Sequence, residues 1–293
     1  MKNKTILITG SSGFIGNFFL ENALNKGFNV IDILRYKNKN NKRLNELNKK
    51  FRYSYNSIFY KNLNEIKKKL DSKKIDFFIN FATFYKNSHS HNEIKKFVDS
   101  NILFPSIIVD LIFSKVKKVI NFGSMMQHLD GKNYKPSNFY SSTKSAFEMI
   151  LNFYSLNNKN SKLYNIKLYE SFANVDKRKK LIPTLIKNYR FNKKTTILSD
   201  KLELNIVHIE DIINAIYLIL NKNIRSGTYC LKNNININIK KLISRINFNF
   251  KRKIKIKFLN KKYPKITKTK IKLLPGWTAD RKIQQKIVDE FIK

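Results

Sequence analysis

The sequence is poor in the residues that build disulfide scaffolds and zinc sites. It has one cysteine, Cys230, among 293 residues, which excludes a disulfide framework and any CxxC metal site. Its four histidines, His89, His91, His128 and His208, lack zinc-ligand spacing apart from the pair in HSH, which reads as a polar loop, so no metal is expected. Acids are also scarce, with 20 Asp or Glu against 59 Lys or Arg and a formal net charge of +39. Such a balance invites a nucleic-acid or anionic-membrane partner. The charge is spread widely, however, and it accompanies an excess of Asn, Ile, Phe and Tyr that a biased coding composition would give any protein. The densest run, KRKIKIKFLNKKYPKITKTKIK, has eleven bases and no acid over Lys251 to Lys272, yet KIKIKF alternates like a strand with one solvated face. No nucleic-acid-binding motif with stacking aromatics accompanies it, so no nucleic-acid partner is expected. Apolar runs are short as well. Thr5 to Thr9 cannot form a signal-peptide core, and no window approaches eighteen uncharged apolar residues, so a soluble cytoplasmic protein with no membrane partner is expected. Eight glycines and five prolines leave no linker rich in Gly, Pro or Ser.

What remains is enough for a large core, since 42% of the residues are hydrophobic. KTILIT reads as a buried strand, FIGNFFLENALNK as a helix stopped by Gly27, and Asn29 to Leu34 as a second strand. Leu63 to Leu70 reads as a helix, IDFFINFAT as a strand, Asn92 to Ser114 as a long helix, KKVINFGS as a strand and Tyr140 to Ser155 as a helix. This rhythm predicts an α/β fold of Rossmann type, a doubly wound parallel sheet covered on both faces. After about Glu170 the pattern loosens. Helices are expected at LIPTLIKNYR, EDIINAIYLIL and NIKKLISRI, and strands at TTILS, LNIVHI and GTYCL. The organisation expected is a Rossmann domain over residues 1–172, with returns near 204–232, and a smaller, interleaved substrate domain over 173–293.

TGSSGFIG joins the first strand to the first helix. Gly10 permits the tight turn, Gly13 lets backbone approach a pyrophosphate, and Gly16 lets the helix pack on the sheet, so Gly10, Ser12, Gly13, Phe14, Ile15 and Gly16 are expected to hold a dinucleotide. The spacing is GxxGxxG, so position in a βαβ unit carries the reading as much as the glycines do. Where an acid would hold the ribose hydroxyls of NAD, Arg35 stands at the end of the second strand with Arg43 nearby. That favours NADPH, with NAD(H) possible, although in so basic a chain Arg35 could equally be a solvated surface residue. Asp32 falls two residues too early for the ribose.

Chemistry enters at KKVINFGSMMQHLD, which ends a strand at Ser124, and at FYSSTKSAFEMILNFY, a helix carrying Tyr140 and Lys144. Residues i and i+4 share a helix face, so the lysine is expected to lower the phenol pKa and to bond the nicotinamide ribose. Tyr140 can then pass a proton to or from a carbonyl or alcohol oxygen that the Ser124 hydroxyl polarises. YxxxK alone is weak, because Tyr189 and Lys193 repeat it.

At these residues the sequence resembles the extended short-chain dehydrogenase/reductase family of nucleotide-sugar epimerases, dehydratases and reductases, over nearly its whole length. TGSSGFIG resembles the family's cofactor loop, YSSTK its catalytic helix, and DFFINFAT a strand that usually ends in His-Leu-Ala-Ala, which implies cofactor contacts from Phe81, Ala82 and Thr83. KLYESFANVDKRKKLIPTLI is similar to a segment with an arginine before a substrate-binding helix, here Arg178. LNIVHIEDIINAI is similar to the Asp-Phe-Val-His-Val-Asp-Asp segment. Asn80 replaces the usual histidine, Ala173-Asn174 replaces Gly-Pro, and Asn205 replaces an acid. Dehydratases of the family carry Asp-Glu where this chain has Met125-Met126; thioethers exchange no protons, so a dehydratase is not expected and both are read as pocket packing. SMMQHLDGKNYKPSNFYSSTK looks most like reductases of CDP-4-keto-3,6-dideoxyhexoses, the abequose and paratose synthase type, which implies that Met125, Gln127 and His128 line the sugar pocket. A histidine at such a strand end is also commonly just hydrogen-bonded to backbone. The resemblance implies a nucleotide-sugar 4-ketoreductase feeding surface glycan such as O-antigen, and a homodimer formed through the helices at Asn92 to Ser114 and Tyr140 to Ser155. An NAD-retaining 4-epimerase uses the same three residues, and a non-catalytic NAD(P)-sensing or polyanion-binding protein could share the fold.

Overall fold

The structure is a computed structural model that describes residues 3–173, 176, 178–261, 269–280 and 282–291. Residues 262–268 of the lysine-rich run and Asn174 of the Ala-Asn replacement lie outside the described residues. Seven strands form the central sheet: β1 (Thr5–Thr9), β2 (Asn29–Arg35), β3 (Tyr55–Tyr60), β4 (Phe77–Asn80), β5 (Lys118–Ser124), β6 (Lys162–Leu168) and the edge strand Gly227–Leu231. Their order is edge strand, β6, β5, β4, β1, β2, β3, and every pairing is parallel. This is the expected doubly wound Rossmann-type fold. The strand order reverses between β1 and β4, where crossover helices part to opposite faces and leave a crevice at the strands' carboxyl ends.

Both faces are covered, which is why the inner strands are apolar throughout. Ile6 and Ile8 of β1 pack with Phe19 and Leu20 of helix α1 (Phe14–Asn25) and with Ile212 and Ile216 of the Ile209–Asn221 helix. Leu7, Phe78 and Val119 point the other way and meet Ile108 and Phe147. Each such fully buried side chain stabilises the fold by about 1.5–3 kcal/mol relative to exposure. A third cluster is drawn from residue 172 onward, with Leu185, Ile197, Ile243, Ile246 and Ile287 among its members.

The long helix is interrupted. It runs as Ile94–Val98, a π-helical turn Asp99–Leu103, and Phe104–Ile112, a break commonly found beside functional sites. By length and composition the segment His91–Lys115 is apolar enough to cross a membrane. In the fold its apolar face, with Phe97, Phe104, Ile108 and Ile112, packs into the core. Two sheet strands have no counterpart in the sequence reading. YNSIFY of β3 has its buried positions interleaved with polar ones, and KLYNIKL of β6 buries a lysine. KIKIKF does contribute a short strand, Ile256–Phe258, paired with Thr195–Ile197.

Across the middle of the sheet runs a row of buried polar side chains. Thr9 Oγ1 donates to Asn80 Oδ1 at 2.7 Å, Asn80 Nδ2 to Asn121 Oδ1 at 3.0 Å, and Asn121 Nδ2 to Asn165 Oδ1 at 3.1 Å. These four are register partners on β1, β4, β5 and β6. An amide at position 80 both accepts and donates, so the row continues through it.

Candidate active site

A cleft of about 1540 Å³ opens over the crevice between β1 and β4. Its floor is the glycine loop. Gly10 has φ +76°, and a Cβ there would stand 2.5 Å from the Ala82 nitrogen, so only glycine lets the loops after β1 and β4 touch. A Cβ on Gly16 would stand 2.4 Å from the Gly10 carbonyl oxygen. Gly13 is the N-cap of α1 and no side chain caps it, so the first-turn amides and the positive end of the helix are free for an anion. These features fit a dinucleotide pyrophosphate. Gly10, Ser12, Gly13, Phe14, Ile15, Gly16, Phe81, Ala82 and Thr83 all line the cleft.

Arg35 is exposed and lines the same end, beside Asn38. Arg43 does not line it, since its guanidinium is held by Glu21 at 2.6 Å on the outer face of α1. Asp32 lies beneath the loop, fully buried, and accepts hydrogen bonds from Ser11 Oγ at 2.5 Å and Tyr55 OH at 2.8 Å. Burial pushes its carboxyl up to about 7, against the smaller lowering effects of those two bonds. It therefore supports the loop from below.

Ser124, Tyr140 and Lys144 all line the same cleft, Ser124 from the end of β5 and the other two from the helix that packs on that strand. Ser124 ends β5; its Oγ accepts from Met126 N at 3.2 Å, which leaves its own O–H to donate into the cleft. Tyr140 begins helix α6 (Phe139–Asn157), capped by Asn138, whose side chain accepts from Ser141 N. Its ring meets Tyr85 edge-on at 4.9 Å. Lys144 follows one turn later and is 2% exposed. The expected lowering of the phenol pKa by Lys144 does not appear. Burial pushes Tyr140 up to about 12, partly offset by the Thr83 side chain, and pushes Lys144 down to about 8. Desolvation penalises both charged forms, so each group leans toward neutrality.

The remaining candidates divide. Met125 and Met126 line the cleft, as does Arg178, whose guanidinium lies 3.5 Å from the Phe14 ring centroid. Arg178 is fixed there by Asp176 at 2.6 Å and the Ser171 carbonyl at 2.6 Å. Gln127 and His128 do not line the cleft. Gln127 is fully buried and turned back, accepting from Ser124 N at 2.8 Å and donating to Ser145 Oγ at 3.3 Å. His128 is buried with Nδ1 donating to the Lys132 and Asn133 carbonyls at 3.1 and 3.0 Å. Gln127 thus orients Ser124, and His128 braces the connection to α6. The second YxxxK also separates from the site: Tyr189 is buried in the third core and Lys193 is exposed.

One contributor has no sequence signal of its own. Asn101 sits in the π turn, buried, with its amide donating to the Phe84 carbonyl at 3.0 Å and Thr143 Oγ1 at 2.9 Å and accepting from Phe84 N at 2.6 Å. It pins the loop after β4 to α6, one turn from Tyr140. Asn205, where an acid was the familiar residue, donates to the Asn233 carbonyl at 2.7 Å and accepts from Asn233 N at 2.9 Å. A carboxylate could make only the second bond.

The chain is 28% identical over 227 residues to a CDP-abequose synthase of Yersinia pseudotuberculosis, covering 76% of this chain and 75% of that protein. It is 24% identical over 229 residues to a CDP-abequose synthase of Salmonella muenchen, covering 78% and 73%. Its fold is similar to that of UDP-glucuronic acid 4-epimerase from Bacillus cereus in complex with UDP-glucuronic acid and NAD, with a TM-score of 0.80 at 19% identity over 98% of both chains. Residues 6–237, from β1 through the glycine loop, Ser124, Tyr140 and Lys144, match the NAD dependent epimerase/dehydratase family, and the chain belongs to that family.

Proposed function

We propose that the protein reduces the C4 keto group of a nucleotide-linked deoxysugar, similar to a CDP-4-keto-3,6-dideoxyhexose, in the synthesis of surface glycan such as O-antigen. The observation that carries this reading is that Ser124, Tyr140 and Lys144 line the same cleft as the glycine loop. The relatives named CDP-abequose synthase support the substrate class, and Met125 and Met126 supply no acid for dehydration.

Hydride is what NAD(P)H supplies when bound; everything else falls to the side chains. Ser124 donates its hydroxyl hydrogen to the C4 oxygen and stabilises the negative charge growing there. Tyr140, kept as a neutral phenol by burial, gives that oxygen its proton as general acid. Lys144, as the ammonium one turn along the same helix, would bond the nicotinamide ribose and so set the dinucleotide beside Tyr140. Arg178 and the methionines hold the sugar end, and Arg35 faces a 2′-phosphate, so NADPH is the preferred donor.

In this reading residues 1–172, with the returns near 204–232, bind the dinucleotide, and the rest of 173–293, built on the third core, binds the substrate. A homodimer in the cytoplasm is part of the same proposal. Met149, Phe153 and Leu156 of α6 are 58%, 60% and 77% exposed, apolar side chains at helical spacing suited to a second copy. Purified protein should consume one NADPH per CDP-linked 4-keto-3,6-dideoxyhexose. Interconversion of two nucleotide sugars by protein that keeps its NAD through purification would instead establish a 4-epimerase.

A further inference from the structure

Beside the catalytic residues lies a buried ionic cluster that the proposed reaction does not use directly. Glu148 is on α6, one turn beyond Lys144, and is 0% exposed. Its Oε2 pairs with the ammonium of Lys167 on β6, likewise 0% exposed, and accepts from Tyr134 OH at 2.9 Å. Its Oε1 is buried with no partner among the described residues. A Cβ at position 123 would stand 2.5 Å from that oxygen, so Gly123, immediately before Ser124, is what admits the carboxylate. A buried charge of this kind is costly unless paired, and an uncompensated one costs several kcal/mol. Lys167 forms the ion pair with this carboxylate, and Lys144 lies one helical turn from it without pairing to it, within reach of its charge.

We propose that Glu148 is a positioning residue that holds Lys144 in its ammonium form, with Lys167 as the opposing charge that limits this hold. The inference rests on the role given to Lys144 above. The charged groups that act on Lys144 are Glu148 on its own helix and Lys167 on β6, and Tyr140 lies one turn before it on α6. Tyr134 and His128, in the connection between β5 and α6, border the Glu148–Lys167 pair. Of the charged ones, Glu148 favours the ammonium and Lys167 disfavours it, with Glu148 the larger influence after burial itself. The helix spacing explains the order, because residues i and i+4 stack on one face.

The test is the pH dependence of kcat/KM. Loss of the Lys144 proton should give wild type a basic limb. Glu148→Gln should move that limb to lower pH by about one unit or more, a loss approaching tenfold in kcat/KM above the limb. Lys167→Met should move it to higher pH. The double variant removes both charges and so is the one best placed to fold; its limb should lie below that of wild type because the larger influence is gone. Glu148→Asp should restore a limb near wild type. Thermal melts establish that each variant is folded, and the double variant decides the matter if a single one is not. A limb that stays in place in every folded variant, with turnover lowered equally at all pH values, would overturn the proposal. Lys144→Met separates this failure from failure of the underlying reading: substantial activity in that variant removes Lys144 itself, whereas an inactive Lys144→Met beside unmoved limbs removes only Glu148.

Discussion

The hydroxyl of Ser11 donates a 2.5 Å hydrogen bond to the buried carboxyl of Asp32, tying the glycine loop to the middle of β2. Burial raises that carboxyl from 3.8 to about 7. Between these values the unfolded chain has lost a proton that the folded chain keeps, so stability falls as pH rises from about 4 to about 7 and then levels. The contribution is on the order of a few kcal/mol. Asp32→Asn keeps an oxygen for Ser11 and Tyr55 and cannot ionise. Its melting temperature should fall less than that of wild type between pH 5 and pH 8. Parallel curves would mean that Asp32 is already ionised in the folded protein.

Tyr140→Phe keeps the ring against Tyr85 and removes only the proton donor. Turnover should fall by roughly 10² to 10⁴, with little change in dinucleotide affinity. Tyr189→Phe, in the other YxxxK and inside the third core, should change neither. Retention of more than about a tenth of wild-type turnover by Tyr140→Phe would take the proton transfer away from this residue.

Asn121 joins two of the three side-chain bonds in the row across the sheet. Asn121→Ala leaves buried amide atoms of Asn80 and Asn165 without partners, at about 1–3 kcal/mol each. The urea midpoint should drop accordingly with an unchanged slope. An unchanged midpoint would show that water or a rearranged amide replaces the bonds.

Arg35→Ala should weaken NADPH about ten- to a hundredfold, the effect of losing a charge-assisted contact of roughly 1.5–3 kcal/mol, and leave NADH nearly unchanged. Fluorescence titration at matched salt measures both. Equal weakening of the two would mean that Arg35 contributes only to the general positive field.

The glycine loop, β5 ending at Ser124 and the face shared by Tyr140 and Lys144 were legible because each depends on local spacing. A Cβ at Gly10 or Gly16 meets backbone 2.4 to 2.5 Å away, so those positions carry their constraint openly. The electrostatics were not legible, since spacing says that Lys144 neighbours Tyr140 but says nothing of the burial that pushes the two toward neutrality. Gln127 and His128 were placed beside the sugar by position in the chain, yet the 3₁₀ turn after β5 directs both inward to backbone and side-chain partners. Asn101 and Asn205 work through hydrogen bonds to residues brought near by the fold. Neither their type nor their neighbours in sequence announces that role. The strand KLYNIKL was obscured by Lys167, a lysine that only a carboxylate from a distant helix makes tolerable inside.

The central claim, net reduction at the sugar C4, is tested most directly with NADPH carrying deuterium at C4 of the nicotinamide, each face labelled in turn. CDP-linked 4-keto-3,6-dideoxyhexose is the first substrate to offer, followed by dTDP-, UDP- and GDP-linked 4-keto-6-deoxyhexoses. The account predicts that deuterium from one of the two faces appears at C4 of the product sugar by mass spectrometry, with one cofactor oxidised for each sugar reduced. Conversion of one nucleotide sugar into its C4 epimer with no label transferred and no cofactor consumed would contradict it.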